Sequence, residues 1–238
     1  MSAAAVPAPR REAAGARPLW VSVEGINGVG KTTAARDVAA ALGTGCLLLD
    51  ELTDQARDTL PGRVIAALSA KDDVCLRTGH PVAETLALLA LKVREAERLA
   101  ALPDQPKLVL EDRGIDSVAV CQAAILCAQL PQADPVDVAR HVLASMARWY
   151  RLPDATVLLT GDLTVCAGRF AARINRTLAP RDLRVIEQTE LLYTVLAAAE
   201  PDRFTVIDTR GQPPEAVAEA LGAVVRSLVE KREAGHAA

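Results

Sequence analysis

Gly25-Ile26-Asn27-Gly28-Val29-Gly30-Lys31-Thr32 decides how this chain is read. Its spacing is G-x-x-x-x-G-K-[ST], and its flanks matter as much as the spacing. Leu19-Trp20-Val21-Ser22-Val23 reads as a short buried strand before it. Thr33 to Leu42, Ala-rich with apolar residues at helical steps, reads as a helix after it. A chance glycine turn would need neither the Lys-Thr pair nor both flanks. The glycines let backbone N–H groups turn inward around a polyphosphate, and the helix N-terminus adds a favourable dipole. Lys31 can reach the β- and γ-phosphates, and the Thr32 hydroxyl can bind Mg²⁺. Gly25, Asn27, Gly28, Val29, Gly30, Lys31, Thr32 and Thr33 are the expected nucleotide-binding set.

Outside the loop, 238 residues bound the chain to one α/β domain, at most with a small lid. Half the residues are hydrophobic but only 3% are aromatic, so the core must be built from Ala, Val and Leu. A net charge of −3 offers no surface for coating nucleic acid. Cys46, Cys75, Cys121, Cys127 and Cys166 lack metal or C-x-x-C spacing, which suits packing roles in a reduced compartment. No apolar run reaches about eighteen residues, so no membrane span is expected, and the cytoplasm is the expected location. Residues 1–17 are rich in Ala, Pro and Arg without a hydrophobic signal core, and read as a disordered extension.

Further strands are expected at Cys46–Asp50, Lys107–Leu110, Ala155–Leu159 and Phe204–Ile207. Helices are expected at Arg63–Ser69, Val82–Leu102, Ser117–Gln129, Val136–Tyr150, Leu183–Ala199 and Glu215–Glu230, with a loose tail at 231–238. Strands alternating with helices imply an α/β fold: a three-layer α/β/α arrangement around about five parallel strands, with the domain spanning 18–230. Ligands of such sheets sit at the carboxyl ends of the strands, where Gly25, Glu51, Asp112 and the stretch after Leu159 all fall.

Those landmarks, in this order, resemble the thymidylate kinase family of P-loop nucleoside monophosphate kinases. The family's E-G-x-D-G-x-G-K-T-T loop is present as Glu24 to Thr33, and its E-P-T-D segment is similar to Glu51-Leu52-Thr53-Asp54. Its E-x-x-L-L-F-A-A-D-R helix is similar to Glu84 through Arg94, and its D-R-Y segment to Asp112-Arg113-Gly114. Its P-D-x-T-x-x-L strand matches Pro153 to Leu159, and its R-F-x-V-I-D ending matches Arg203 to Asp208.

The resemblance implies ATP as donor, Mg²⁺, a nucleotide acceptor and, as is common in the family, a homodimer packed through helices. It implies Lys31, Asp112 and Arg113 as catalytic residues, with Thr32 and Asp112 toward the metal. Arg169, Arg173 and Arg176 would be lid arginines over the phosphates, on a lid around 161–180. Asn27, Glu51, Ala90, Arg94, Arg113, Ser117 and Cys121 would bind the acceptor. The helices from Val82 and from Ser117 are candidate dimer faces or simply core.

Departures from the family cluster on the acceptor side. The ring expected to stack on thymine falls at Ala90, the loop aspartate is Asn27, the D-R-Y aromatic is Gly114, and a tyrosine expected near the sugar is Cys121. Stacking on a ring is worth about 1–3 kcal/mol per base. The resemblance implies dTMP phosphorylation as the expected activity, and the missing rings favour the alternative, a kinase for another acceptor, nucleoside or other small molecule. A catalytically idle nucleotide-binding protein is a further alternative. It would be expected to have lost Lys31, Asp112 or the arginines, and all are present.

Overall fold

The computed structural model describes residues 17–69, 73–130 and 132–237. Of the expected N-terminal extension, all but Arg17 lies outside the described residues. The element order is β1 (Leu19–Glu24), α1 (Lys31–Leu42), β2 (Cys46–Leu49), α2 (Leu60–Leu68), α3 (Pro81–Ala100), β3 (Leu108–Asp112) and α4 (Ile115–Gln129). It continues with α5 (Pro135–Met146), β4 (Ala155–Thr160), α6 (Leu163–Ile174), α7 (Pro180–Ala199), β5 (Phe204–Asp208) and α8 (Pro214–Ala237). The five strands form one parallel sheet in the order β2-β3-β1-β4-β5.

Strand alternation decides what each face of the sheet carries. Val21 and Val23 of β1, with Leu108 and Leu110 of β3, join Ala35 of α1 and Leu221 of α8 in one core. The other core packs α3, α4, α5 and α7 against the opposite face, with Leu158, Leu192 and Leu196 fully enclosed. Burying a leucine of this kind stabilises by about 1.5–3 kcal/mol. That second face also holds Ser22, Glu24, Glu111 and Thr156, all without exposed surface. A row of buried polar groups on a sheet face must be satisfied internally, and this row borders the site.

Register aligns the carboxyl ends of the strands: Val23 lies beside Asp112, Glu24 beside Leu158, and Thr160 beside Asp208. Several boundaries differ from the sequence expectation: α2 begins at Leu60, three residues before Arg63, β3 runs on to Asp112, and α5 ends at Met146, four residues short of Tyr150. The stretch after β4 is a regular helix, α6, whose Asp162 side chain caps the Val165 N–H. Helix α7 begins at Pro180, where proline's fixed φ suits the first turn. Helix α8 continues through 231–237, where a loose tail is expected, and Arg232 reaches back to Asp154 at 3.4 Å. Among the described residues, no helix is long and apolar enough to cross a membrane.

Candidate functional site

Between β1 and α1 the backbone itself makes the site. Gly25, Gly28 and Gly30 have φ of 139°, 83° and 108°, a region that side chains with a Cβ rarely enter. A Cβ on Gly28 would strike the Cys166 carbonyl of α6, so the loop packs under that helix only as glycine. No side chain caps α1, whose N-cap is Gly30, so its first N–H groups face the loop's interior. Lys31 is buried and donates to the Ile26 carbonyl at 2.8 Å. Burial, with the Arg113 charge adding to it, pushes the Lys31 ammonium down to about 7. The loop borders a cavity of about 350 Å³, which Arg169 and Arg173 of α6 and Thr209 after β5 also line.

Asp112 ends β3 beside this loop and is 1% exposed. Burial raises its pKa, and the nearby Thr32 hydroxyl and Lys31 pull it back down. Even so, neither carboxylate oxygen has a hydrogen-bond partner of good geometry.

A second, larger cavity of about 850 Å³ opens beneath α3, α4 and α7. Arg113 stands at its mouth with φ of 64°, a strained setting for a non-glycine residue and common at functional sites. Its guanidinium pairs with Glu51 at 3.0 Å and donates to Asn27 Oδ1 at 2.5 Å. Burial alone would raise the Glu51 pKa, but Arg113 and then Lys31 hold it below the usual range. Asn27, Glu51, Ser117 and Cys121 all line this cavity, as does Cys75. The two cavities share Thr32, Thr33, Glu51, Arg113 and Arg173 as common wall.

Two expected acceptor residues are not in it. Ala90 is exposed on the outer side of α3, and Arg94, half-buried, does not line the cavity. The helix phase explains why: Leu88 and Lys92, one turn apart, face inward, and positions two residues on face away. Lys92, expected on a charged helix end, is 1% exposed and pairs with Glu111 at 2.6 Å. Burial would lower its pKa, but Glu111 and Glu95 hold it above the usual lysine range.

Arg169 and Arg173 lie one turn apart on α6, and Arg173 sits 5.5 Å over the Phe170 ring. Arg176 lies past the helix end, because Asn175 at φ 51° terminates α6, and it lines the larger cavity from the loop. Gly114 shows why no ring follows Arg113. A Cβ there would come within 2.9 Å of Glu111 Oε2 and 3.1 Å of Glu24 Oε1.

Besides Lys92, sequence reasoning missed Gln122, Glu24, Thr189 and Tyr193 at this site. Gln122 lines the cavity one residue past Cys121, and the period of α4 could have exposed it. Glu24 is in the loop motif itself, yet nothing in the motif says that its side chain turns under α4. Thr189 and Tyr193 come from α7, which carries no motif. Tyr193 donates to Glu24 Oε2 at 2.8 Å, and the buried Thr189 lines the cavity.

A model of the thymidylate kinase family matches residues 23–221. The chain belongs to the thymidylate kinase family. It is accordingly a nucleoside monophosphate kinase, with ATP as the phosphoryl donor implied by the family. It is 30% identical over 223 residues to a thymidylate kinase of Clavibacter michiganensis subsp. michiganensis, covering 89% of this chain and 96% of that one. A probable thymidylate kinase of Halorubrum lacusprofundi is 32% identical over 220 residues, covering 89% and 99%. In fold it is similar to a thymidylate kinase from Candida albicans, at a TM-score of 0.66 and 17% identity, covering 89% and 92%. On α3, Leu88 and Lys92 have the same four-residue spacing as Ala90 and Arg94, and it is Leu88 and Lys92 that face the cavity.

Proposed function

We propose that this kinase transfers the γ-phosphoryl group of ATP to dTMP, giving dTDP, with Mg²⁺ at the donor side. The observation that carries this reading is the shared wall between the two cavities. A donor triphosphate on the loop and an acceptor phosphate at Arg113 would meet across Thr32, Thr33 and Arg173. Phosphoryl transfer asks mainly for positioning and charge neutralisation, and these residues supply both. Lys31 would hold the β- and γ-phosphates. Arg113 would take the acceptor phosphate, and Arg169, Arg173 and Arg176 would close over the transferring group as a lid.

The residues present fit Mg²⁺. The two Asp112 oxygens are buried without partners, the Thr32 hydroxyl is near, and both are hard oxygen donors. Bound there, the ion would neutralise charge on the transferring phosphates. Further in, the base would lie against Leu88, Cys121 and Gln122. The Gln122 Oε1 accepts from Thr85 at 3.0 Å, which leaves its NH₂ as a donor to a base carbonyl.

A second reading, an acceptor other than dTMP, is favoured by the aliphatic walls Leu76, Leu88 and Ile125 around a wide cavity. A nucleoside acceptor would need a base for its hydroxyl proton. Glu51 is ion-paired with a lowered pKa, which makes it a weak one. The cytoplasm suits ATP and free thiols. A second copy would pair through the outer face of α3, where Val82 and Leu86 are each 61% exposed one turn apart.

The deciding experiment incubates the protein with ATP and Mg²⁺ against dTMP, dUMP, other monophosphates and free nucleosides, and follows ADP release. Turnover highest with dTMP is expected. Preference for another acceptor would replace dTMP in this reading, and turnover with none would overturn it.

A further inference from the structure

Arg113 owes its place to the peptide bond that follows it. The Arg113 carbonyl accepts from Lys92 Nζ of α3 at 2.8 Å, and the Gly114 N–H donates to Glu24 Oε1 of β1 at 2.8 Å. The two ends of one peptide unit are thus held by two oppositely charged side chains, each 1% exposed or less. On its other side the Arg113 N–H donates to the Val23 carbonyl at 3.2 Å, and between these anchors Arg113 stands at φ 64° with its guanidinium on Glu51 and Asn27 at the mouth of the cavity.

Each clamp residue is itself anchored. Lys92 is tied to Glu111, whose Oε2 accepts from the Trp20 indole at 2.8 Å. Glu24 Oε2 accepts from the hydroxyls of Ser117 and Tyr193, so α4 and α7 fix its direction. Gly114 completes the clamp, since even a Cβ there would come within 2.9 Å of Glu111 Oε2 and of the Ser22 Cβ and press on Glu24 Oε1 at 3.1 Å. Ordinary packing would not require a buried lysine aimed at one carbonyl and a buried carboxylate at the adjoining N–H.

We infer that Lys92 and Glu24 are positioning residues that clamp the Arg113–Gly114 peptide and so set the guanidinium that receives the acceptor. The inference rests on the reading of Arg113 as an acceptor-phosphate ligand. Lys92 borders the cavity, but its ammonium is taken up by Glu111, Glu95 and the Arg113 carbonyl, so it acts through Arg113.

Lys92→Met alone would leave Glu111 buried and unpaired, so the test pairs it with Glu111→Gln. Glu24→Met removes the other half of the clamp, and Glu24→Gln restores a carbonyl oxygen for the Gly114 N–H. Each is made in the wild-type and in the Arg113→Ala background. Kinetics are measured with dTMP, or with the best acceptor of the panel, together with the ATP KM and a thermal melt.

The clamp predicts an acceptor KM raised about tenfold in Lys92→Met/Glu111→Gln and in Glu24→Met, with the ATP KM within about twofold. Glu24→Gln should bring it back near wild type. In the Arg113→Ala background the same changes should add nothing further, because one group transmits the effect. An acceptor KM unchanged by both clamp variants, or effects that add fully to Arg113→Ala, would overturn the clamp alone. An acceptor KM indifferent to Arg113→Ala itself would overturn the reading beneath it.

Discussion

Two halves of one site are built here by different means. On the donor side the ligand-facing surface is backbone: three positive-φ glycines, an uncapped helix end and one buried lysine. On the acceptor side it is side chain: Arg113, Glu51, Asn27, Ser117 and Gln122, arriving from α4 and the loops at strand ends. Backbone geometry demands particular residues at fixed spacing, because only glycine reaches those dihedrals. A side-chain wall needs only that its members meet in space, so it can be rebuilt residue by residue while the fold is kept. The donor half therefore keeps a motif of fixed spacing, while Leu88, Cys121 and Gln122 of the acceptor half follow no local pattern of that kind.

The largest effect should come from the donor half. Lys31→Met should lower kcat/KM by about 10³-fold, since one preorganised charge on the transferring phosphates is lost. The same substitution should raise the melting temperature. Burial depresses the Lys31 pKa from 10.5 to about 7, so the charged form is disfavoured in the fold. A depressed folded pKa gives stability that is present above pH 10.5 and lost as pH falls through 7. Near pH 7 the wild type carries most of that cost and Lys31→Met carries none. Activity within tenfold of wild type, or a lower melting temperature, would break the contrast between a functional and a structural lysine.

Asp112→Asn should cost about 10–100-fold in activity and raise the Mg²⁺ concentration for half-maximal rate, with the acceptor KM little changed. An effect on the acceptor alone would move Asp112 to the other half. Glu24 sharpens the comparison through stability. Burial first, then Asp116 and Glu111, raise its carboxyl to about 7, against the Ser117 and Tyr193 hydrogen bonds, which lower it. The folded state then binds more protons than the unfolded chain between pH 4.5 and 7, so this contribution is full below pH 4.5 and lost as pH rises through 7. Glu24→Gln should flatten that fall, on the order of 1–3 kcal/mol, in denaturant midpoints measured across the window. An unchanged slope would assign it to other groups.

How much of this was legible in the sequence follows the same division. The strand order of events, the loop and Asp112-Arg113 are local patterns, and the structure places them together at the strand ends. The acceptor wall was misread where it depended on helix phase. The expected pair, Ala90 and Arg94, faces away from the cavity, and Leu88 and Lys92, two residues earlier with the same four-residue spacing, face it. Each residue turns the helix by about 100°, so a two-residue slip reverses the face. Lys92 was unreadable for another reason. A lysine among Arg94, Glu95 and Glu97 reads as a solvated face, and only the fold brings Glu111 and the Arg113 carbonyl beneath it. Tyr193 and Thr189 lie 68 or more residues from Ser117 and Cys121, with no local pattern linking them.

The phase itself can be tested by giving the wall back its ring. Leu88→Phe places an aromatic on the inner face of α3, beside a cavity of about 850 Å³ with room for it. Base stacking of about 1–3 kcal/mol, reduced by some strain in fitting a larger side chain, should lower the dTMP KM by about three- to tenfold. Ala90→Phe puts the same ring on the outer face, where it should leave the dTMP KM unchanged. The pair carries equal chemistry two residues apart, so any difference reports direction alone. A gain from Ala90→Phe and none from Leu88→Phe would restore the original alignment and reverse the assignment of Lys92. Equal, small effects from both would mean that the base does not lie against α3, and that the acceptor half holds its substrate by Arg113 and Gln122 without a stacked wall.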